Sequence, residues 1–496
     1  MPAPSPALAG HSRLLTGLLL ALFLGALEQT IVATALPAIV RDLAGFDLLG
    51  WALSAYLLAT AAATPVIGKL SDLHGRRALL RACMALFALG SAICALAPDM
   101  RTLIGGRAVQ GIGGAGLIVV AQAAVAQLAG PAQRSRYAGY FALVWAAAGL
   151  IGPLLGGALS DWLHWRAIFW INLPLGALVL WIGAPGLRAL GPGHGEGRID
   201  LAATALFAVA TGAFLLALSW GGARHPWLSA PVLTALAAAL LAGAVFLAGQ
   251  RRSADPLLAP AWLRDPAIGP ALAASLLLYG FYIAVAVLMP AYWQLGHGLR
   301  PTVSGALLVP ALIAGAAGAL IGGRAAARSG DYKRPVLPGL AIAALTLTAM
   351  GALASQLSAW SVSALLAVVA FGIGPCTATV NAVAQNAAPA RQLGALTGAM
   401  ALSRTLGTAV VVAAGSAMIV AHVRLGGGAL AGGLLGGGES AAAQTLPAAT
   451  RALLRDAYAE LFFFAAAGIA LALLCYAWIQ PRTAHAAELA ETAPGA

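Results

Sequence analysis

The chain has 496 residues, 61% of them apolar and only 9% charged, with a mean hydropathy of +0.88. These figures exclude a soluble enzyme, since soluble domains carry about 25% charged residues, and a disordered chain, which needs low hydrophobicity. A net charge of +12 would suggest nucleic acid in a soluble protein; in a membrane chain it poses the question of which loops hold it.

Fourteen stretches reach the roughly 20 apolar residues that cross a bilayer as a helix. They lie at about 14–38, 49–68, 78–97, 102–128, 137–159, 167–187, 199–220, 228–249, 267–291, 303–323, 335–354, 360–384, 395–421 and 457–479. The runs are continuous rather than alternating, which predicts helices and not a barrel. The first could be read as a signal peptide behind Arg13, but it is long for one, contains Glu28 and lacks a small-x-small exit. With the N-terminus inside, eighteen Lys and Arg fall on cytoplasmic segments and eight on the opposite side, while Arg107 and Arg404 lie within spans. This bias predicts cytoplasmic termini and accounts for the basic charge without nucleic acid. Residues 1–13 read as a cytoplasmic tail, 481–496 as a disordered one, and the Gly-rich segment at about 422–456 as an external connector. Cys83, Cys94, Cys376 and Cys475 sit in apolar runs without a C-x-x-C pair, which reads as packing.

Two patterns recur. Gly68 and Gly75, seven apart, bracket Lys69 and Asp72 and precede Arg76 and Arg77; Gly323 and Gly330 repeat the spacing with bases around them. Gly111-Ile-Gly113 is answered by Gly372-Ile-Gly374. The pairings predict two six-helix bundles, 14–190 and 264–480, with an extra hairpin at 198–250. Repeated helix bundles build secondary transporters, with the substrate path at the repeat interface.

A charge at mid-span costs at least about 2.5–3.5 kcal/mol, so each one asks for a function. Glu28 is the only acid near the middle of a span, and Arg107 lies at a similar depth in the fourth. Either they form a static pair between helices, or Glu28 binds a proton; the second reading is preferred because burial and a nearby guanidinium oppose each other on a carboxyl. Arg404 is a third deep charge, without an acid at its depth in spans nine to fourteen. Gly149, Gly152, Pro153, Gly156 and Gly157 in span five suit a pivot or close packing. Trp145, Asn172, Tyr279, Tyr282, Asn381 and Gln385, with Glu28, Gln110 and Arg404, are candidates to line a substrate cavity. The chain has no P-loop, no H-E-x-x-H and no Cys/His ligand cluster, so neither ATP hydrolysis, a metal site nor enzyme activity is expected.

These motifs resemble the major facilitator superfamily, and within it the fourteen-span drug:proton antiporters of the EmrB and QacA type. Gly68–Arg77 is similar to the loop 2–3 signature, Arg107, Gln110, Gly111 and Gly113 to the span 4 signature, and Gly149–Gly157 to the antiporter signature. Leu27–Pro37 and Trp165–Gly176 are similar to the family's span 1 and span 6 patterns. The resemblance implies a plasma (inner) membrane protein working by alternating access, most simply as a monomer, driven by the proton gradient without a cofactor. It implies Glu28 as coupling acid, Arg107 as proton relay, and Asp72 with its neighbouring bases as a cytoplasmic lock. Physically, Asp72 could pair with a helix N-terminus, Arg134 or Arg136. The expected cargo is a lipophilic or monocationic small molecule, with a lipid or endogenous metabolite as the alternative. A single deep carboxylate predicts a poor fit to dications.

Overall fold

The computed structural model describes residues 6–43, 48–129, 131–183, 190, 200–221, 225–253, 256–425 and 448–480. The expected tail 481–496 lies outside the described residues. Among the described residues the regular elements are helical, with only an isolated bridge between Gly221 and His225. The chain forms two compact units. The first comprises the described residues of Met1–Gly212, Ala239–Trp262 and Gln385–Leu402, and the second those of Ala213–Ala238, Leu263–Ala384 and Ser403–Ala496.

In the first unit α1 (Pro6–Leu43), α2 (Leu49–His74), α3 (Arg76–Ala95), α4 (Met100–Leu128) and α5 (Pro131–Trp162) precede two shorter helices, α6 (Ala167–Trp170) and α7 (Asn172–Gly183). α4 is apolar all round and buried without interruption from Gly113 to Ala126, as a central helix should be. It packs on α1, α2 and α3, and α1 also packs on α5 and α7. Asp99 opens α4 by accepting from Thr102 N at 2.8 Å, which holds its carboxyl below the ordinary value.

The second unit contains α10 (Ile268–Ala291), continued by a π turn at Tyr292–Gly296, then α11 (Pro301–Ala306), α12 (Val309–Ser329) and α13 (Lys333–Ala352). α14 (Ala359–Ala387), α15 (Leu393–Leu425) and α16 (Ala448–Trp478) follow; the end of α14 and the start of α15 belong to the first unit. Between the two sets come α8 (Leu201–Trp220) and α9 (Ala230–Arg252), which touch through Phe207 and Phe246. Large apolar side chains point outward, among them Leu154, Trp181, Leu240, Leu345 and Trp478. Such a surface suits lipid.

Among the described residues twelve helices are long and apolar enough to cross a membrane. The other two expected spans fall on α2, which carries Thr60, Thr64, Lys69 and Asp72, and on the short, broken α6–α7. Several boundaries differ from expectation: α1 begins at Pro6, inside the expected tail 1–13. The span at 303–323 breaks at Leu307 and Leu308, because Pro310 lacks an N–H and starts a fresh helix. The connector expected at 422–456 is shorter on both sides: α15 runs to Leu425 and α16 starts at Ala448. Arg451, Arg455, Asp456 and Glu460 lower the apolar count there, but arginine and glutamate are good helix formers.

The seven-residue glycine pairs have a common backbone purpose. Gly75 (φ 87°) and Gly330 (φ 69°) each end a helix in a conformation that L side chains rarely adopt. The Gly-Ile-Gly pairs agree in composition but not in register. Gly111 meets α2 and Gly113 meets α3, whereas Gly372 meets α13 and Gly374 meets α12. Gly75→Ala is expected to destabilise the protein by about 1–3 kcal/mol through backbone strain, read as a lower unfolding temperature in detergent.

Candidate functional site

The first unit buries a polar cluster in an otherwise apolar interior. Glu28 on α1, Ser91 on α3, Arg107 and Gln110 on α4 and Asn172 on α7 are each at most 1% exposed. Arg107 Nη1 donates to Glu28 Oε1 and, at 2.7 Å, to Gln110 Oε1, while Nε donates to Ala52 O at 3.1 Å. Asn172 Nδ2 donates to Glu28 Oε2 at 2.8 Å, and Gln110 Nε2 to Ser91 Oγ at 2.8 Å. The guanidinium lies 4.4 Å above the Tyr56 ring, whose hydroxyl donates to Gly25 O. Each carboxylate oxygen therefore has a donor, and the buried charge has a partner.

A second cluster lies at the α2–α3 corner. Asp72 accepts from the backbone N–H of Gly394 at 2.9 Å and of Ala395 at 2.8 Å, and pairs with Arg76 at 3.1 Å. Of the partners open to Asp72, the structure selects the N-terminus of α15, where free amides and the helix dipole favour an anion. A Cβ on Gly68 would strike Gly394 O, and one on Gly394 would strike Gly68 O. Lys69 Nζ donates to Pro256 O at 3.1 Å, Arg76 also reaches Gln127, and Arg77 is half-buried beside them. Arg134 donates to Gln385 O and to Asn386 Oδ1, both at 2.8 Å.

Of the antiporter-motif residues, Gly152 makes a close approach: a Cβ there would overlap Thr30 Oγ1, which donates to Ala148 O at 3.1 Å. Pro153 is exposed, Gly156 is buried, and Gly149 and Gly157 face open space. The cavity candidates separate. Glu28, Gln110 and Asn172 converge in the polar cluster; Trp145 is half-buried against the apolar core around α1. Gln385 donates to Thr397 Oγ1 at 2.9 Å, beside the start of α15. In the second unit Arg404 lies 5.2 Å from the Tyr279 ring, and Asn381 is half-buried on α14. Tyr282 lines a cavity of about 60 Å³ with Phe281, Leu308, Leu312, Leu366 and Ile373. Sequence reasoning missed Ser91 and Tyr56, each a polar group inside an apolar run.

Beyond the span of α1, Asp42 accepts from Arg166 and from Trp165 Nε1 at 3.0 Å, and these bonds hold its carboxyl below the ordinary value. A depressed pKa contributes stability above the unfolded value of about 4 and loses it as pH falls through the folded value. Asp42→Asn should therefore flatten the acid limb of a Tm-against-pH curve. In the buried cluster, Arg107→Met leaves Glu28 without its counter-charge and should cost about 3–5 kcal/mol in unfolding. The Glu28→Leu/Arg107→Met double variant should recover most of that loss.

Residues 18–412 match the Major Facilitator Superfamily. The MFS-type efflux pump LUC4 of Fusarium sp is 34% identical over 326 residues, covering 63% of this chain and 56% of that pump. Multidrug transporter protein MdtP of Bacillus subtilis (strain 168) is 31% identical over 402 residues, covering 79% and 72%. The match spans less than two thirds of the length of the fungal pumps. The crystal structure of the human organic anion transporter MFSD10 has a similar fold, with a TM-score of 0.62 over 94% of this chain and 99% of that one at 17% identity.

Proposed function

We propose a function from one premise: the chain belongs to the Major Facilitator Superfamily, a family of transporters rather than enzymes. It exports lipophilic or monocationic small molecules across the plasma membrane in exchange for protons, with both termini cytoplasmic. The observation that carries this reading is Glu28, the acid buried at mid-span, bonded on both oxygens and facing Arg107. The names of the relatives, an efflux pump and a multidrug transporter, support the direction and the cargo class.

The ionised carboxylate holds α1, α4 and α7 through Arg107 and Asn172. A proton arriving at Glu28 removes the countercharge and leaves Arg107 with Gln110, the Ala52 carbonyl and the Tyr56 face. That change in bonding favours a different arrangement of these helices, in which the cargo side opens. Asp72 and Arg134 hold residues 385–402, and their release accompanies opening at the cytoplasmic end. The apolar lining around Tyr282 favours lipophilic over charged contacts, although its cavity of about 60 Å³ must widen before it holds a cargo.

At one proton per neutral substrate, each unit of ΔpH supports about a tenfold concentration gradient, about 1.4 kcal/mol. Proteoliposomes with an imposed ΔpH and a panel of lipophilic dyes test the reading. Wild type should concentrate substrate, and Glu28→Gln should only equilibrate it. Concentrative, ΔpH-driven transport by Glu28→Gln would overturn proton coupling at this residue. Divalent biocides should move far more slowly than monovalent dyes.

A further inference from the structure

The second unit has a corner that neither the proton site nor the cavity uses. α10 ends in the π turn Tyr292–Gly296, and Gly298 follows with φ 68°. Such turns interrupt the helical ladder and often mark working sites. The first turns of α16 lie against it. A Cβ on Gly296 would meet Arg455 Cγ at 3.4 Å, and one on Gly298 would meet Arg451 Nη1 at 3.3 Å. Two guanidinium side chains, four residues apart on one helix, therefore flank the turn. Tyr292 packs edge-on to His297 at 5.0 Å and against Tyr458 at 4.9 Å.

Tyr292 and Trp293 are fully buried, yet the Tyr292 hydroxyl and Trp293 Nε1 have no hydrogen-bond partner among the described residues. The same is true of Arg455 Nε and His297 Nε2. An unpaired buried polar group is costly, so four around one corner call for a ligand. The arginine and tryptophan nitrogens can only donate, so that ligand must accept. The nearby acids of α16 do not serve: Asp456 and Glu460 are exposed, and Glu460 is bonded to His422 at 2.9 Å. Burial and the Arg455 charge hold His297 below its ordinary value, so the positive charge of the corner comes from arginine.

We propose that this corner, formed by Tyr292–Gly298 with Arg451 and Arg455, binds a phosphate group. Several oxygens around one centre match donors arriving from a turn and a helix, as a planar carboxylate does less well. The corner lies where one candidate span ends, at Gly296, and another begins, at Arg451; the ends of spans meet the level of lipid phosphates. A headgroup and a free phosphate ion share this chemistry.

The test uses the full chain in maltoside detergent, with unfolding temperature followed against added inorganic phosphate, phosphatidylglycerol, or the phosphate-free lipid diolein. Ligand that binds only the folded protein raises that temperature in a saturable way. Phosphatidylglycerol or phosphate should do so, and diolein should not. Arg455→Gln should raise the half-saturating concentration about tenfold or more, as expected for losing a charged hydrogen bond. Tyr292→Phe should shift it in the same direction, and Arg300→Gln, on an exposed neighbour, should not. Saturation by phosphate alone assigns a free ion, and saturation by phosphatidylglycerol alone assigns a headgroup. No saturable rise with either, or an unchanged rise in both Arg455→Gln and Tyr292→Phe, would overturn the proposal; if Arg455→Gln does not fold, Tyr292→Phe decides.

Discussion

A buried charge in an apolar helix bundle must be answered by another, and the first unit is organised around that constraint. Glu28 and Arg107 lie on different helices, and each is almost wholly removed from solvent. Each offsets the desolvation that the other would carry alone at that depth. Their pairing fixes the rotation of α1 against α4, and the remaining bonds recruit α3 and α7 through Ser91 and Asn172. Tyr56 brings in α2 through its ring. A polar centre of this kind specifies which helix faces meet, where apolar contacts alone tolerate many packings.

The same economy governs the corner around Asp72. One carboxylate meets the open end of a helix and an arginine on its own chain segment, and two glycines let the backbones come close. The helix breaks also follow from sequence chemistry. Pro310 starts a helix where the apolar run alone suggested continuity, and Pro290 precedes the π turn of α10.

Much of this was legible before any coordinates. Long apolar runs separated by basic loops dictate helices in lipid, and the rarity of mid-span charge pointed at Glu28 and Arg107 directly. The polar partners were harder to see. Ser91 and Tyr56 are ordinary residues in apolar runs, and only the packing of four helices gives them a role. The choice of Asp72 among an amide terminus, Arg134 and Arg136 depended on a contact 322 residues away in sequence, which no local pattern encodes. The Gly-Ile-Gly match does not say which neighbour each glycine meets, because two glycines two apart face different helices. The start of α16 at Ala448 is hard to see in sequence because Arg451, Arg455, Asp456 and Glu460 break the apolar run without breaking the helix.

The hold of Asp72 on α15 is made with main-chain amides. On the α15 side there is no side chain to exchange for a stronger or weaker one, and the glycine there admits no larger residue. The strength of the hold is therefore adjustable from one side only. Substitutions in α15 away from Gly394 leave its chemistry untouched, while any change of Asp72 alters it at once. A contact of this design is insulated from side-chain exchange in one partner, Gly394 excepted, which leaves the rest of that helix free to vary.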